Sequence, residues 1–73
     1  MTLADVRVGQ KVRVVAIEHT SQAAEVIRLG IIPGLDLAVV TKVRSGPVVV
    51  QNGVSEVAIG YRLARRIVVQ RVE

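Results

Sequence analysis

His19 is the one histidine in the sequence, and six carboxylates are scattered along the chain. Zinc or iron ordinarily takes three or four nitrogen, sulfur or carboxylate ligands. Glu18 adjoins His19, but no further ligand stands at a metal-binding spacing. The plainer reading is a solvated histidine near a helix start. A metal shared between symmetry-related chains is the exception. Cysteine is absent, which excludes thiolate nucleophiles, thiolate zinc sites and disulfides. Ser21, Ser45 and Ser55 have no base beside them in sequence, although a catalytic triad is a spatial arrangement. Neither GxxxxGK[ST] nor GxGxxG occurs, so no phosphate-cradling loop is expected. The residues predict a protein that is not an enzyme, with no catalytic residue and no cofactor.

The basic residues offer a second chemistry. Arg62, Arg65, Arg66 and Arg71 cluster towards the C-terminus, and Arg7, Lys11 and Arg13 towards the N-terminus. Ten Lys or Arg against six Asp or Glu give a net charge of +4. Such groups can grip phosphate backbones. Single-strand binders also stack bases on aromatics, and Tyr61 is the only aromatic residue. Two other uses fit the same charges: a solubilising surface on an apolar protein, or docking to an acidic patch on a partner.

A third candidate is apolar. Leu29, Ile31, Ile32 and Leu35 surround Pro33-Gly34. All four can cap a core. Alternatively one or two, Ile32 and Leu35 before the others, protrude as a partner-binding patch, flanked by Glu25 and Arg28.

The elements that must position these residues follow from composition. In 73 residues, 51% are apolar and 1% aromatic. Val and Ile together number 23, and such β-branched residues favour strands. One domain over 1–73 is all that fits. Strands are expected at 11–18, 36–43, 48–51, 54–59 and 67–72. In the first, Val12, Val14 and Ala16 should face inward. Leu3 and Val6 should plug one end of the core. Thr20 or Ser21 can cap a helix over 20–29, whose Ala23, Val26, Ile27 and Gly30 share a face. Gly30 suits the left-handed place after a helix, and Pro33-Gly34 the centre of a type II turn. Arg44 to Pro47 makes another turn. Asn52-Gly53 marks a tight hairpin. About one helical turn fits between Gly60 and Arg66. The expected fold class is all-β: a small five-stranded barrel, closed or nearly so, with one short α-helix and a terminal helical turn. No segment is long and apolar enough for a transmembrane helix, and Met1 to Asp5 lacks the marks of a signal peptide, so a cytoplasmic protein is expected.

Ile27-Arg28-Leu29-Gly30-Ile31-Ile32-Pro33-Gly34 resembles the helix end and Pro-Gly turn of FeoA-like domains. Leu3, Val6, Gly9 and Val12 are similar to that family's opening. Gly46-Pro47-Val48 is similar to its central hairpin. Val57-Ala58-Ile59, Leu63-Ala64, Ile67 and Val69 are similar to its closing strands. The order holds along nearly the whole chain. Ala24 and Glu25 stand where many relatives are basic, Val26 where leucine is usual, and Gly60-Tyr61 where a polar or basic pair is common.

The resemblance implies an SH3-like barrel and a cytoplasmic, non-enzymatic accessory of ferrous iron uptake. Its implied partner is FeoB, a membrane permease with a cytoplasmic GTPase domain. Neither a small-molecule substrate nor a metal is expected, and a homo-oligomer remains open. The apolar turn and the charges near it give the expected partner-binding residues: Leu29, Ile32, Pro33, Leu35, Arg28 and Arg62. Two alternatives stand beside this: a basic barrel binding nucleic acid, and a stand-alone relative of the SH3-like module that ends iron-dependent repressors. An N-terminal Met and no helix-turn-helix favour a free-standing protein.

Overall fold

Alternation of valine with polar residues builds the sheet. The computed structural model describes residues 1–18 and 21–72. It contains β1 (Lys11–Ile17), α1 (Ala23–Arg28), β2 (Asp36–Lys42), β3 (Val48–Asn52), β4 (Ser55–Ile59), α2 (Tyr61–Ala64) and β5 (Ile67–Val72). The strands form a single antiparallel sheet in the order β4-β3-β2-β1-β5. The expected strand and helix order holds throughout.

The expectation of closure needs correction. β4 and β5 are opposite edges of the sheet and do not pair with each other. The N-terminal segment occupies the outer side of β5 instead. Leu3 N donates to Ile67 O and Val69 N donates to Met1 O, both at 2.9 Å. That segment is pinned by the burial of Leu3 and Val6, both 0% exposed, as expected of a core plug. Covering an edge in this way removes a template for unwanted strand pairing. Among the described residues, β4 is left as the uncovered edge.

The core is built of Val, Leu and Ile with Ala64, and among the described residues no polar or charged side chain is buried. Each fully buried Val, Leu or Ile contributes about 1.5–3 kcal/mol relative to exposure. Without disulfides, this burial must offset the entropy of ordering the chain.

Three local expectations are corrected. Val12 and Val14 face inward, but Ala16 is exposed and Ile17 half-buried. A register irregularity between Val14 and Ala16 against β5 shifts the alternation by one residue. The helix is shorter than 20–29: Gln22 is its N-cap, without a side-chain capping bond. Ser21 therefore does not cap it, and Thr20 lies outside the described residues. Of the proposed helix face, Val26 is buried while Ile27 is 58% exposed, because so short a helix rests on the sheet through a single side chain. In the hairpin, Asn52 pairs with Ser55 as the last residue of β3. The central turn residues are Gly53, at φ +63°, and Val54, which has no positive φ. A glycine in the first central place is the type II′ pattern.

Candidate functional site

The helix end and the turn after it are fixed by backbone bonds. Gly30 N donates to Ile27 O at 2.9 Å, and Ile31 N to Val26 O at 3.2 Å. This pair of bonds is the Schellman closure, with Gly30 at φ +82° as expected. Ile31, 1% exposed, and Val26, 0% exposed, are both in the core. Leu35 N then donates to Ile32 O at 3.2 Å across Pro33-Gly34. Gly34 at φ +94° completes the type II turn.

That frame sorts the apolar residues around it. Ile31 is core, whereas Ile32 is 49% and Leu29 37% exposed. Leu35 is half-buried and packs against the core, so it protrudes less than Ile32. Pro33 and Arg28 are exposed, and Arg28 stands in the last turn of α1, where a cation suits the helix C-terminus. Ile27, on the helical face it shares with Val26, is 58% exposed as well.

Arg62 lies elsewhere. With Leu29 it lines a groove of about 840 Å³ between α1 and α2, together with Glu25, Ala58, Ile59 and Tyr61. An adjoining hollow is lined by Gln22, Arg62, Arg65 and Arg66. The Arg65 guanidinium sits 5.7 Å from the centre of the Tyr61 ring, within cation–π range. Arg66 Nη1 is 3.6 Å from Glu18 Oε1. Of the six partner residues read from the sequence, Leu29 and Arg62 meet in this groove; Arg28, Ile32, Pro33 and Leu35 do not line it. Tyr61 and Arg65 were not singled out as a pair. Their signal was an i, i+4 spacing in Tyr61–Arg65, beside i, i+3 and i, i+4 spacings in Arg62–Arg65–Arg66.

The remaining basic residues are dispersed. Arg71 sits in β5 opposite Val12 and does not line the hollow. Arg13 donates to Asp36 at 2.7 Å from Nε and 3.2 Å from Nη2. That hydrogen bonding holds the Asp36 carboxyl below its ordinary value and raises the Arg13 guanidinium above its own. Lys42 Nζ donates to Ala4 O at 2.7 Å and Val6 O at 2.8 Å. Among the described residues, no three His, Cys, Asp or Glu side chains gather as a metal site. His19 lies outside the described residues. Ser21, Ser45 and Ser55 are all exposed.

The fold and sequence find relatives along the whole chain. The FeoA domain matches residues 1–71. The chain belongs to the FeoA family. It is thus a small protein of the kind associated with ferrous iron transport, an accessory domain by family. A crystal structure of an iron uptake regulatory protein, FeoA, is 28% identical with a TM-score of 0.89, covering 99% of this chain and 96% of that one. The zinc complex of Stenotrophomonas maltophilia FeoA, described as a prokaryotic SH3 domain protein, is also 28% identical. Its TM-score is 0.81, over 96% of this chain and 89% of the other. Iron(II) transport protein A from Clostridium thermocellum shares the fold at TM-score 0.90 with 23% identity, over 99% of this chain and 46% of that one. No curated protein matches. The five-stranded sheet of this FeoA chain is therefore SH3-like although β4 and β5 do not close on each other. Among the described residues of this FeoA chain, no helix is long and apolar enough to cross a membrane.

Proposed function

We propose that this FeoA-family chain is a non-enzymatic, cytoplasmic accessory of ferrous iron uptake that binds FeoB and biases the state of its GTPase domain. The observation that carries the reading is a hydrogen-bonded turn with Ile32 held half-exposed at its start, preceded in sequence by the exposed Ile27 and Leu29. Apolar side chains presented on a fixed backbone lose little conformational freedom on binding. Large apolar groups at the centre of an interface, rimmed by charge, carry most binding energy. Arg28, in the last turn of α1 just before this turn, supplies rim charge that raises the association rate. The family's association with ferrous iron transport makes a component of that transport the natural partner.

Mechanism here is binding. A ligand shifts a two-state partner only by its differential affinity for the two states. The chain's own residues supply contact surface and orientation, and Pro33, Gly34 and Leu35 keep Ile32 in place. The test is co-purification with the cytoplasmic part of FeoB, together with ferrous iron uptake in cells carrying Ile32→Asp, a substitution at an exposed side chain. Co-purification and reduced uptake support the reading. No enrichment, with uptake unaffected, overturns it.

A further inference from the structure

The groove between α1 and α2 differs from the turn surface in its chemistry. Its lining includes two apolar side chains that reach solvent, Leu29 and Tyr61, each 37% exposed. The hollow that adjoins it gathers Arg62, Arg65 and Arg66. Their spacing of i, i+3 and i, i+4 places three guanidinium groups on one side of a short helical turn. Among the described residues, the one ion pair these arginines make is weak. Arg66 has a loose contact with Glu18 at 3.6 Å, with side chains 55% and 50% exposed. Such an exposed pair contributes little and yields readily to a better acceptor. Arg65 is already oriented by the Tyr61 ring, which lowers the entropy lost when it binds. Guanidinium groups accept carboxylates in a two-pronged geometry.

We propose that this groove binds an extended acidic segment of a partner protein, with an apolar side chain against Leu29 and Tyr61 and carboxylates on Arg62, Arg65 and Arg66. This rests on the reading of the chain as a protein-recognition module and names the chemistry of what it recognises. A nucleic acid fits less well. Glu25 lines the same groove, so a continuous phosphate backbone would run past a carboxylate. Stacking platforms are also missing: Tyr61 is the sole aromatic residue, and Arg65 lies over its ring. An acidic protein segment can place its charges in the arginine hollow alone.

The test is amide chemical-shift titration of the full chain with a short synthetic peptide in which glutamates flank one leucine. A glutamine-for-glutamate version and an oligothymidylate are the comparison probes. Saturable shifts at Gln22, Leu29, Tyr61, Arg62, Arg65 and Arg66 are expected. Affinity should fall roughly tenfold or more for the glutamine peptide and for the Arg62→Glu, Arg66→Glu variant, the scale of lost interfacial arginines. Both arginines are exposed, and Arg62→Gln with Arg66→Gln serves as a milder variant should the charge reversal disturb folding. Shifts mapping elsewhere, equal affinity for the glutamine peptide, or tighter binding of oligothymidylate overturns the proposal. The FeoB reading fails separately. Peptide binding without any FeoB binding defeats only the FeoB assignment. FeoB binding that survives the arginine variants, with shifts around Ile32, defeats only the acidic groove.

Discussion

Val14 and Gly34 are joined at 2.8 Å, Gly34 N donating to Val14 O, while Val14 N donates to Leu35 O at the same distance. The turn at Pro33-Gly34 is therefore stitched to β1 rather than hanging from the helix end. Val14 is 1% exposed, so the stitch is anchored in the core. What the turn displays, Ile32 above all, inherits the rigidity of the sheet.

Glycine should be essential where the backbone demands it. Gly30 adopts φ +82°, and an added Cβ would meet only Asn52 Nδ2 at an ordinary 3.6 Å. Gly34, at φ +94°, has open space around it. Strain, not crowding, should set the cost in both. Gly30→Val should destabilise the chain by about 1 kcal/mol or more, and Gly34→Ala by about 1 kcal/mol. In a chain of this size about 1 kcal/mol is roughly 4–8 °C in Tm, so thermal melting reads the effect. An unchanged Tm for Gly30→Val would refute the assigned backbone.

Ile31 and Ile32 are neighbours with opposite fates. At 1% and 49% exposure, they should separate stability from recognition. Ile31→Ala should cost about 2–5 kcal/mol through lost burial and an unfilled cavity. Ile32→Ala should stay within about 0.5 kcal/mol, as surface substitutions usually do. Chemical denaturation of the two variants decides. Equal losses would mean that Ile32 is structural.

Lys42 ties β2 to the N-terminal segment through the carbonyls of Ala4 and Val6. Hydrogen bonds from a charged group are stronger than neutral ones, and Lys42→Met should cost about 1–3 kcal/mol. Hydrogen exchange should also quicken at the amides of Leu3 and Val69, which bond across β5 and the N-terminal segment. Exchange rates equal to the native chain would show that Lys42 is not the tether.

Asp5 sets an acid limit. Its carboxyl accepts from Thr2 N at 2.8 Å. That hydrogen bond, reinforced by the Thr2 hydroxyl, holds it below its ordinary value of 3.8. The unfolded chain titrates at the ordinary value. The stabilisation is thus complete above 3.8 and is lost as pH falls through the depressed folded value. Asp5→Asn should lower Tm near neutral pH and flatten its fall below about pH 4. An acid limb parallel to that of the native chain would contradict this.

Much of the fold was legible because its signals are local. Pro33-Gly34 and Gly30 state their backbone angles outright, and the valine runs place every strand within a few residues. The sheet's openness was not legible. Whether β5 meets β4 or Met1 to Leu3 depends on which long-range partner arrives, and no local pattern records it. The outward turn of Ala16 had the same origin, since a register irregularity in a pair with β5 is invisible from β1 alone. For the site, Ile32 could be read from the density of apolar residues around a turn. The groove could not, because it joins α1, the end of β4 and α2. Only the arginine spacing within α2 and its flank hinted at it.

The most direct measurement is the affinity of the cytoplasmic part of FeoB for three proteins: the native chain, Ile32→Asp, and Val54→Asp at the far-exposed hairpin tip. The account predicts saturable binding by the native chain and by Val54→Asp, and a loss of roughly tenfold or more for Ile32→Asp, on the scale of a central interface residue. Native and Ile32→Asp chains that bind equally, or a native chain that does not bind, would contradict it.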